Sequence, residues 1–318
     1  MSNQQHRVPA VGYGLYLIAA ALFGFNGTVA KTLLATGIPA ARLSELRVTF
    51  AFLVMLVVVL VTRPQTLRIK SWAEFRLLAG YGILGVMLTQ FLYFVSIHLI
   101  PVGITLIIEF TAPFMVAIWF KVTRGDVVHR RVWVGMGIAL VGLVAIAEIW
   151  SGFTLNAFGV ICAWGAAVSL AVYYVLGERC TSEPWNRDSV SITMWGFAGA
   201  SAVWAVVQPW WTFPWHYLQG NSEPWGTWEL QLPLWVLVAS MVLLGTVTTF
   251  SLVVASFKHI SAAQASSIGM AEPVLASIIA WVLIGEALGI WQIIGIAITS
   301  AGILIAERSR FLPSEHID

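Results

Sequence analysis

The sequence predicts an all-α membrane protein: ten transmembrane helices arranged as two inverted five-helix repeats, with both termini cytoplasmic. Three observations carry that prediction. The first is composition. Of 318 residues, 59% are hydrophobic and only 10% are Asp, Glu, Lys or Arg. A soluble domain is about 25% charged. The 17 basic and 15 acidic residues cannot cover the surface that a soluble chain of this length would present to water. The second observation is the spacing of the apolar segments, and the third is an internal repeat.

A span takes about 20 apolar residues, so ten take about 200 and leave short loops. The segments run 11–35, 40–62, 76–98, 101–121, 131–149, 156–177, 189–209, 233–257, 261–284 and 288–306. The first passes Gly24 with no small-residue cleavage site, so it reads as a retained span and not a cleaved signal. Thr36-Gly37-Ile38-Pro39 turns the chain into the second, and Arg63-Pro64 ends that one. His98 to Pro101 splits the third from the fourth; Lys258-His259 splits the eighth from the ninth. The longest loop, Gln208 to Leu232, carries Pro209, Pro214 and Pro224. The run from Phe50 to Val61 is continuously apolar, which excludes the alternation of a β-barrel strand.

Basic residues near span ends set orientation. With the N-terminus inside, 14 of the 17 Lys and Arg fall on the cytoplasmic side. Lys31, Arg42 and Arg47 are the exceptions. Trp210, Trp211, Trp215, Trp225 and Trp228 then crowd one outer loop, where indoles suit a headgroup interface.

Shifting the chain by 160 residues pairs Gly85 with Gly245, Thr89 with Thr249, Ser96 with Ser256 and Pro113 with Pro273. Gly125 pairs with Gly285, Asp126 with Glu286, Gly135 with Gly295 and Gly142 with Gly302. Five spans per copy is an odd number, so the second copy crosses the membrane inverted. The expected units are 1–150 and 151–310, with a cytoplasmic tail at 311–318. Inverted repeats are a recurring architecture of secondary transporters, with the site near the midplane between the halves.

Other classes lack their residues. Cys162 and Cys180 fit no zinc or redox spacing and read as packing residues. The six histidines are scattered through tails and loops, so neither a metal nor a cofactor is expected. No basic block suits a nucleic acid. No P-loop, HExxH or Gly-x-Ser-x-Gly element appears, which argues against ATP-driven transport and hydrolysis.

Ala271-Glu272-Pro273-Val274-Leu275-Ala276, then Gly285-Glu286-Ala287, then Gln292-Ile293-Ile294-Gly295 through Gly302 resembles the second half of EamA-type members of the drug/metabolite transporter superfamily. Phe23-Gly24-Phe25-Asn26 resembles the family's Trp-Gly-x-Asn, with Phe in place of Trp. Leu46-Arg47-Val48 resembles its second-span Arg pattern. The likeness covers about residues 10–308. It implies two EamA repeats, export or exchange of small metabolites such as amino acids, and a cavity lined mainly by helices 1, 3, 4, 6, 8 and 9. Helices 5 and 10 would be peripheral.

An ionisable group within a span is costly unless it is paired or faces water. Glu109 lies roughly 12 Å into the fourth span and Glu272 roughly 16 Å into the ninth, at 1.5 Å per residue. Pro113 deprives the Glu109 carbonyl of its helical donor, and Pro273 does the same to Gly269. These prolines are natural bending points. Each Glu therefore has two readings: it binds substrate or takes a coupling proton, or it is a structural group bonded to nearby backbone. Asn26, Gln90, Tyr93, Thr105, Trp164, Tyr173, Thr249 and Ser267 are candidates for the lining, although a Ser or Thr in a span commonly joins helices instead. Lys31, Arg42, Glu45 and Arg47 form an outer charge cluster, read either as a clasp between the first two helices or as a gate or anion contact. In that cluster Glu45 cannot face Arg47 at a spacing of two and could pair with Lys31. Gly135, Ala139 and Gly142, with Gly295, Thr299 and Gly302, are small-residue stripes suited to close packing or a dimer face.

The expected protein is a secondary transporter in the bacterial cytoplasmic membrane that exports amino acids or related metabolites by alternating access, with proton antiport the leading coupling. Drug or amphiphile efflux and uncoupled exchange are the alternatives on the same fold; an intramembrane enzyme or a receptor is the alternative in kind. Its partners are a small molecule and the bilayer, and the chain is a monomer or homodimer.

Overall fold

The computed structural model describes residues 8–126, 128–148, 156–224, 231–285 and 287–309. Within them lie ten main helices: α1 Pro9–Ala35, α2 Ala40–Thr62, α3 Trp72–Leu99, α4 Val102–Arg124, α5 Arg130–Ile146, α6 Ala157–Thr181, α7 Ser189–Val207, α8 Leu234–Ser256, α9 Ala262–Ile284 and α10 Ile290–Ser309. Nine have the length and apolarity to cross a membrane. The tenth, α5, has 17 residues and spans about 25 Å, slightly less than a ~30 Å hydrocarbon core. Arg7, Trp225, Trp228, Glu286, Arg310 and the expected tail lie outside the described residues.

The helix ends follow local chemistry. Ser71, Asn156 and Asp188 accept backbone N–H groups at the starts of α3, α6 and α7, and Ser261 forms a capping box with Gln264 at α9. Gly125 and Gly285, the 160-residue pair, end α4 and α9 at φ 70° and 68°. That left-handed conformation favours glycine.

Two helix pairs are irregular at matched points. α4 breaks between Glu109 and Ala112, and α9 breaks between Gly269 and Glu272. In both, a proline falls two residues after the break, where its missing N–H would otherwise have closed the helical bond. α3 carries a π-helical turn over Tyr81–Met87, and α8 carries one over Leu243–Thr248. Such turns add a residue to the helical repeat and recur at functional sites.

The packing repeats the same symmetry. α1 packs on α8 and α9, and α6 packs on α3 and α4. Those contacts exchange when the two halves are swapped. α2 packs on α7, and α5 packs on α10, so each of these pairs is its own counterpart. The α5–α10 contact is backbone on backbone. A Cβ on Gly135 would fall 2.7 Å from the Gly302 carbonyl oxygen, and one on Gly142 would fall 2.7 Å from that of Gly295. The small-residue stripes therefore face each other within one chain. Of the two readings of these stripes, close packing is the one seen; both sides of that seam are already covered, so they do not offer a dimer face.

Candidate functional site

The mid-span carboxylates sit at the two helix breaks. Glu109 is the last residue of the first half of α4 and is buried; Glu272 opens the second half of α9 and is partly accessible. Their charges lie close enough to interact with each other. Arg47 of α2 interacts with Glu272, and Tyr93 of α3 lies within electrostatic range of Glu109, Glu272 and Arg47. Gln90, one turn before Tyr93, accepts a hydrogen bond from Arg47 Nη2. Four helices thus bring two carboxylates, a guanidinium, an amide and a phenol together at the level of the α4 and α9 breaks.

Asn26 of α1 is buried at the edge of this region, against the π turn of α8. A Cβ on Gly245 would fall 2.3 Å from Asn26 Oδ1, so only glycine leaves room for the amide. Asn26 Oδ1 has no hydrogen-bond partner. An aromatic cluster joins α1, α6, α7 and α8. Phe250 meets Phe23, Tyr173 and Phe197 edge-on at 5.3, 5.9 and 5.2 Å between ring centroids. Tyr173 is buried in that cluster.

The remaining candidates separate. Thr105 is fully buried and bonded to Ser96 at 2.8 Å, joining α4 to α3. Thr249 donates to the Leu244 carbonyl at 2.7 Å inside the π turn, and Ser267 donates to the Ala263 carbonyl at 2.9 Å. Trp164 is exposed with Phe158, Ile161 and Val168, a helical stripe of apolar side chains suited to lipid. The structure does not bring it to the carboxylates.

The outer charge cluster also divides. Glu45 pairs with Arg42 at 2.9 Å and not with Lys31. Arg42 reaches on to Thr212 Oγ1 at 2.5 Å and the Pro209 carbonyl at 3.4 Å, tying α2 to the loop after α7. Lys31 borders a separate outer pocket with His216 and Glu223. Arg47 turns inward instead.

A set of contacts that the sequence reading missed closes the membrane side where the described termini lie. The Tyr16 and Tyr174 hydroxyls bond to each other across α1 and α6. A Cβ on Gly269 would fall 2.7 Å from the Tyr174 hydroxyl and 3.0 Å from that of Tyr16. Glu178 of α6 is buried, accepts from Arg124 at 3.0 Å and accepts from the Ala262 N–H at 2.8 Å. Tyr13 accepts from Gln264 at 2.8 Å and donates to Glu307 at 2.8 Å. Glu74 pairs with Arg187, and Arg63 pairs with Asp188. Tyr16–Tyr174, Arg124–Glu178, Tyr13–Gln264, Tyr13–Glu307, Glu74–Arg187 and Arg63–Asp188 each join one half of the repeat to the other, whereas the Glu178–Ala262 bond lies within the second half. In sequence Arg124 and Arg187 count only toward the cytoplasmic charge bias, because nothing local pairs them with acids 54 and 113 residues away.

Comparison with known proteins agrees with this architecture. The EamA-like transporter family matches residues 10–147 and again 157–307. An uncharacterized transporter of Archaeoglobus fulgidus is 25% identical over 284 residues, covering 89% of this chain and 92% of that protein. The threonine/homoserine exporter RhtA of Salmonella typhimurium (strain LT2) is 27% identical over 286 residues, covering 88% of this chain and 85% of the exporter. A solved crystal structure superposes with a TM-score of 0.74 at 19% identity over 96% of this chain and 99% of its own, which speaks to fold alone.

Proposed function

We propose, from the premise that this chain belongs to the EamA-like transporter family, that it exports amino acids or closely related metabolites across the cytoplasmic membrane by alternating access. As a family member it is a multi-pass membrane transporter, not an enzyme. The observation that carries the finer reading is the mid-span group of Glu109, Glu272, Arg47 and Tyr93. Groups of both signs in a low-dielectric region suit a small zwitterion better than a bare ion or a neutral lipid. The naming of threonine and homoserine as cargo of a relative supports the same class.

The symmetry of the two halves supports alternating access. The contacts between halves on the termini side hold one face shut, and a pseudo-symmetric pair of halves can adopt the mirrored arrangement. The matched breaks in α4 and α9 are the bending points. Glu109 and Glu272 are the groups that would exchange a proton against substrate.

The test is counterflow in proteoliposomes with the twenty amino acids and a set of cationic drugs, at two pH values. Exchange of one or more amino acids supports the reading. Exchange confined to the drugs moves the chain to amphiphile efflux. Ligand binding without exchange of any solute overturns transport by this reading.

A further inference from the structure

Arg47 and Gln90 are bonded to each other, yet both retain donors with nothing to donate to. An arginine carries no acceptor, so Gln90 must present its Oε1 to the Nη2 of Arg47. That orientation leaves the Gln90 NH2 group facing away. Gln90 Nε2 and Arg47 Nε are each buried atoms without a hydrogen-bond partner. A buried donor left unsatisfied is costly, so the pair as it stands lacks an acceptor.

The chain's own acids do not supply one. Glu45 is two residues away on the same helix and is held by Arg42. Glu272 is near enough for its charge to act on Arg47, but among the described residues Arg47 forms no ion pair. The Arg47 and Gln90 residues are only partly buried overall, so part of each remains accessible. One wall of the site, from α2 and α3, thus offers N–H donors and a positive charge. The wall from α4 and α9 offers two carboxylates.

Resting on the transporter reading above, we infer that Arg47 and Gln90 form the subsite for a substrate carboxylate, with Glu272 and Glu109 facing the substrate ammonium. Arg47 Nε–H and Gln90 Nε2–H are the two donors a carboxylate would engage. The site therefore selects amino acids with a free carboxylate and rejects the corresponding amides and amines, which leave both donors unpaired.

The experiment compares the best amino-acid substrate with its carboxamide in the same counterflow assay, for the wild type, Arg47→Gln, Arg47→Lys, Gln90→Leu and Gln90→Glu. Wild type should exchange the acid at least about tenfold faster than the amide, the scale of a lost charge-assisted hydrogen bond. Arg47→Gln and Gln90→Leu should erase that preference mainly by slowing the acid. Arg47→Lys should keep part of it. Gln90→Glu adds an internal acceptor against Arg47, so it should abolish acid exchange in protein that remains folded and monodisperse. If Arg47→Gln does not fold, the two Gln90 variants decide. An unchanged acid-to-amide ratio in the folded variants overturns the inference and leaves transport standing. A wild type that exchanges no amino acid removes the underlying reading, and the subsite with it.

Discussion

Gly142 of α5 lies directly against Thr299 of α10: a Cβ on Gly142 would fall 2.3 Å from Thr299 Oγ1 and 2.5 Å from its backbone nitrogen. Thr299 is fully buried there and donates to the Ala139 carbonyl at 3.3 Å. Gly142→Val and Gly135→Val should each therefore lower stability by overpacking, about 1–3 kcal/mol. Gly137 on the same helix has open space around it, so Gly137→Ala should be neutral or raise stability by about 0.5–1 kcal/mol. Thermal unfolding in detergent separates the three. Equal effects at all three positions would contradict the seam.

Glu109→Gln and Glu272→Gln remove a titratable group from the site while keeping its shape. Each should lower amino-acid exchange at least about tenfold, or flatten its dependence on pH, as expected of groups that bind ammonium or carry a proton. Flux measured from pH 5.5 to 8.5 is the readout. Two variants with wild-type flux throughout would return both residues to a structural role.

Glu178 ties three helices together on the termini side. Its side chain is buried, while that of Arg124 is nearly half exposed and screened. Most of its contribution should come from the bond to the Ala262 N–H at the start of α9, on the order of 1.5–3 kcal/mol for a charged acceptor. Glu178→Ala should destabilise clearly more than Arg124→Ala. The same loss from both would place the energy in the ion pair instead.

Gly269 has no room for a methyl group because two tyrosine hydroxyls press on it. Gly269→Ala should impair folding or exchange. Tyr174→Phe removes the nearer hydroxyl, so the double variant should recover part of the loss. A double-mutant cycle measures this, and strict additivity would refute the contact.

Trp164 faces outward on an apolar stripe. Trp164→Leu should leave the rates and substrate preference of exchange within about twofold, since it keeps an apolar side chain on that face. A changed preference would bring Trp164 back into the site.

Much of this protein is legible in the sequence because the bilayer imposes one rule on every segment: long, apolar and helical. The helix count, the inverted repeat and the mid-span position of Glu109 and Glu272 follow from it. The matched breaks were also legible through Pro113 and Pro273. The π turns were not, although Gly85 and Gly245 mark them; a single inserted residue leaves no periodic trace in an apolar run. Nor was the outward exposure of Trp164, for a related reason. In a span that is apolar on every side, periodicity does not say which face meets lipid.

The sequence by itself determined the architecture, since charge scarcity, span length and the 160-residue repeat are properties of the chain read in order. Only the tertiary structure decided the partners. Arg47 turned to Gln90 and not to the acid beside it, Glu45 to Arg42, Glu178 to the start of α9, and the glycine stripes to each other. Those choices depend on which helix faces meet across tens of residues, and helix packing sets that by shape and close approach, which no local pattern encodes.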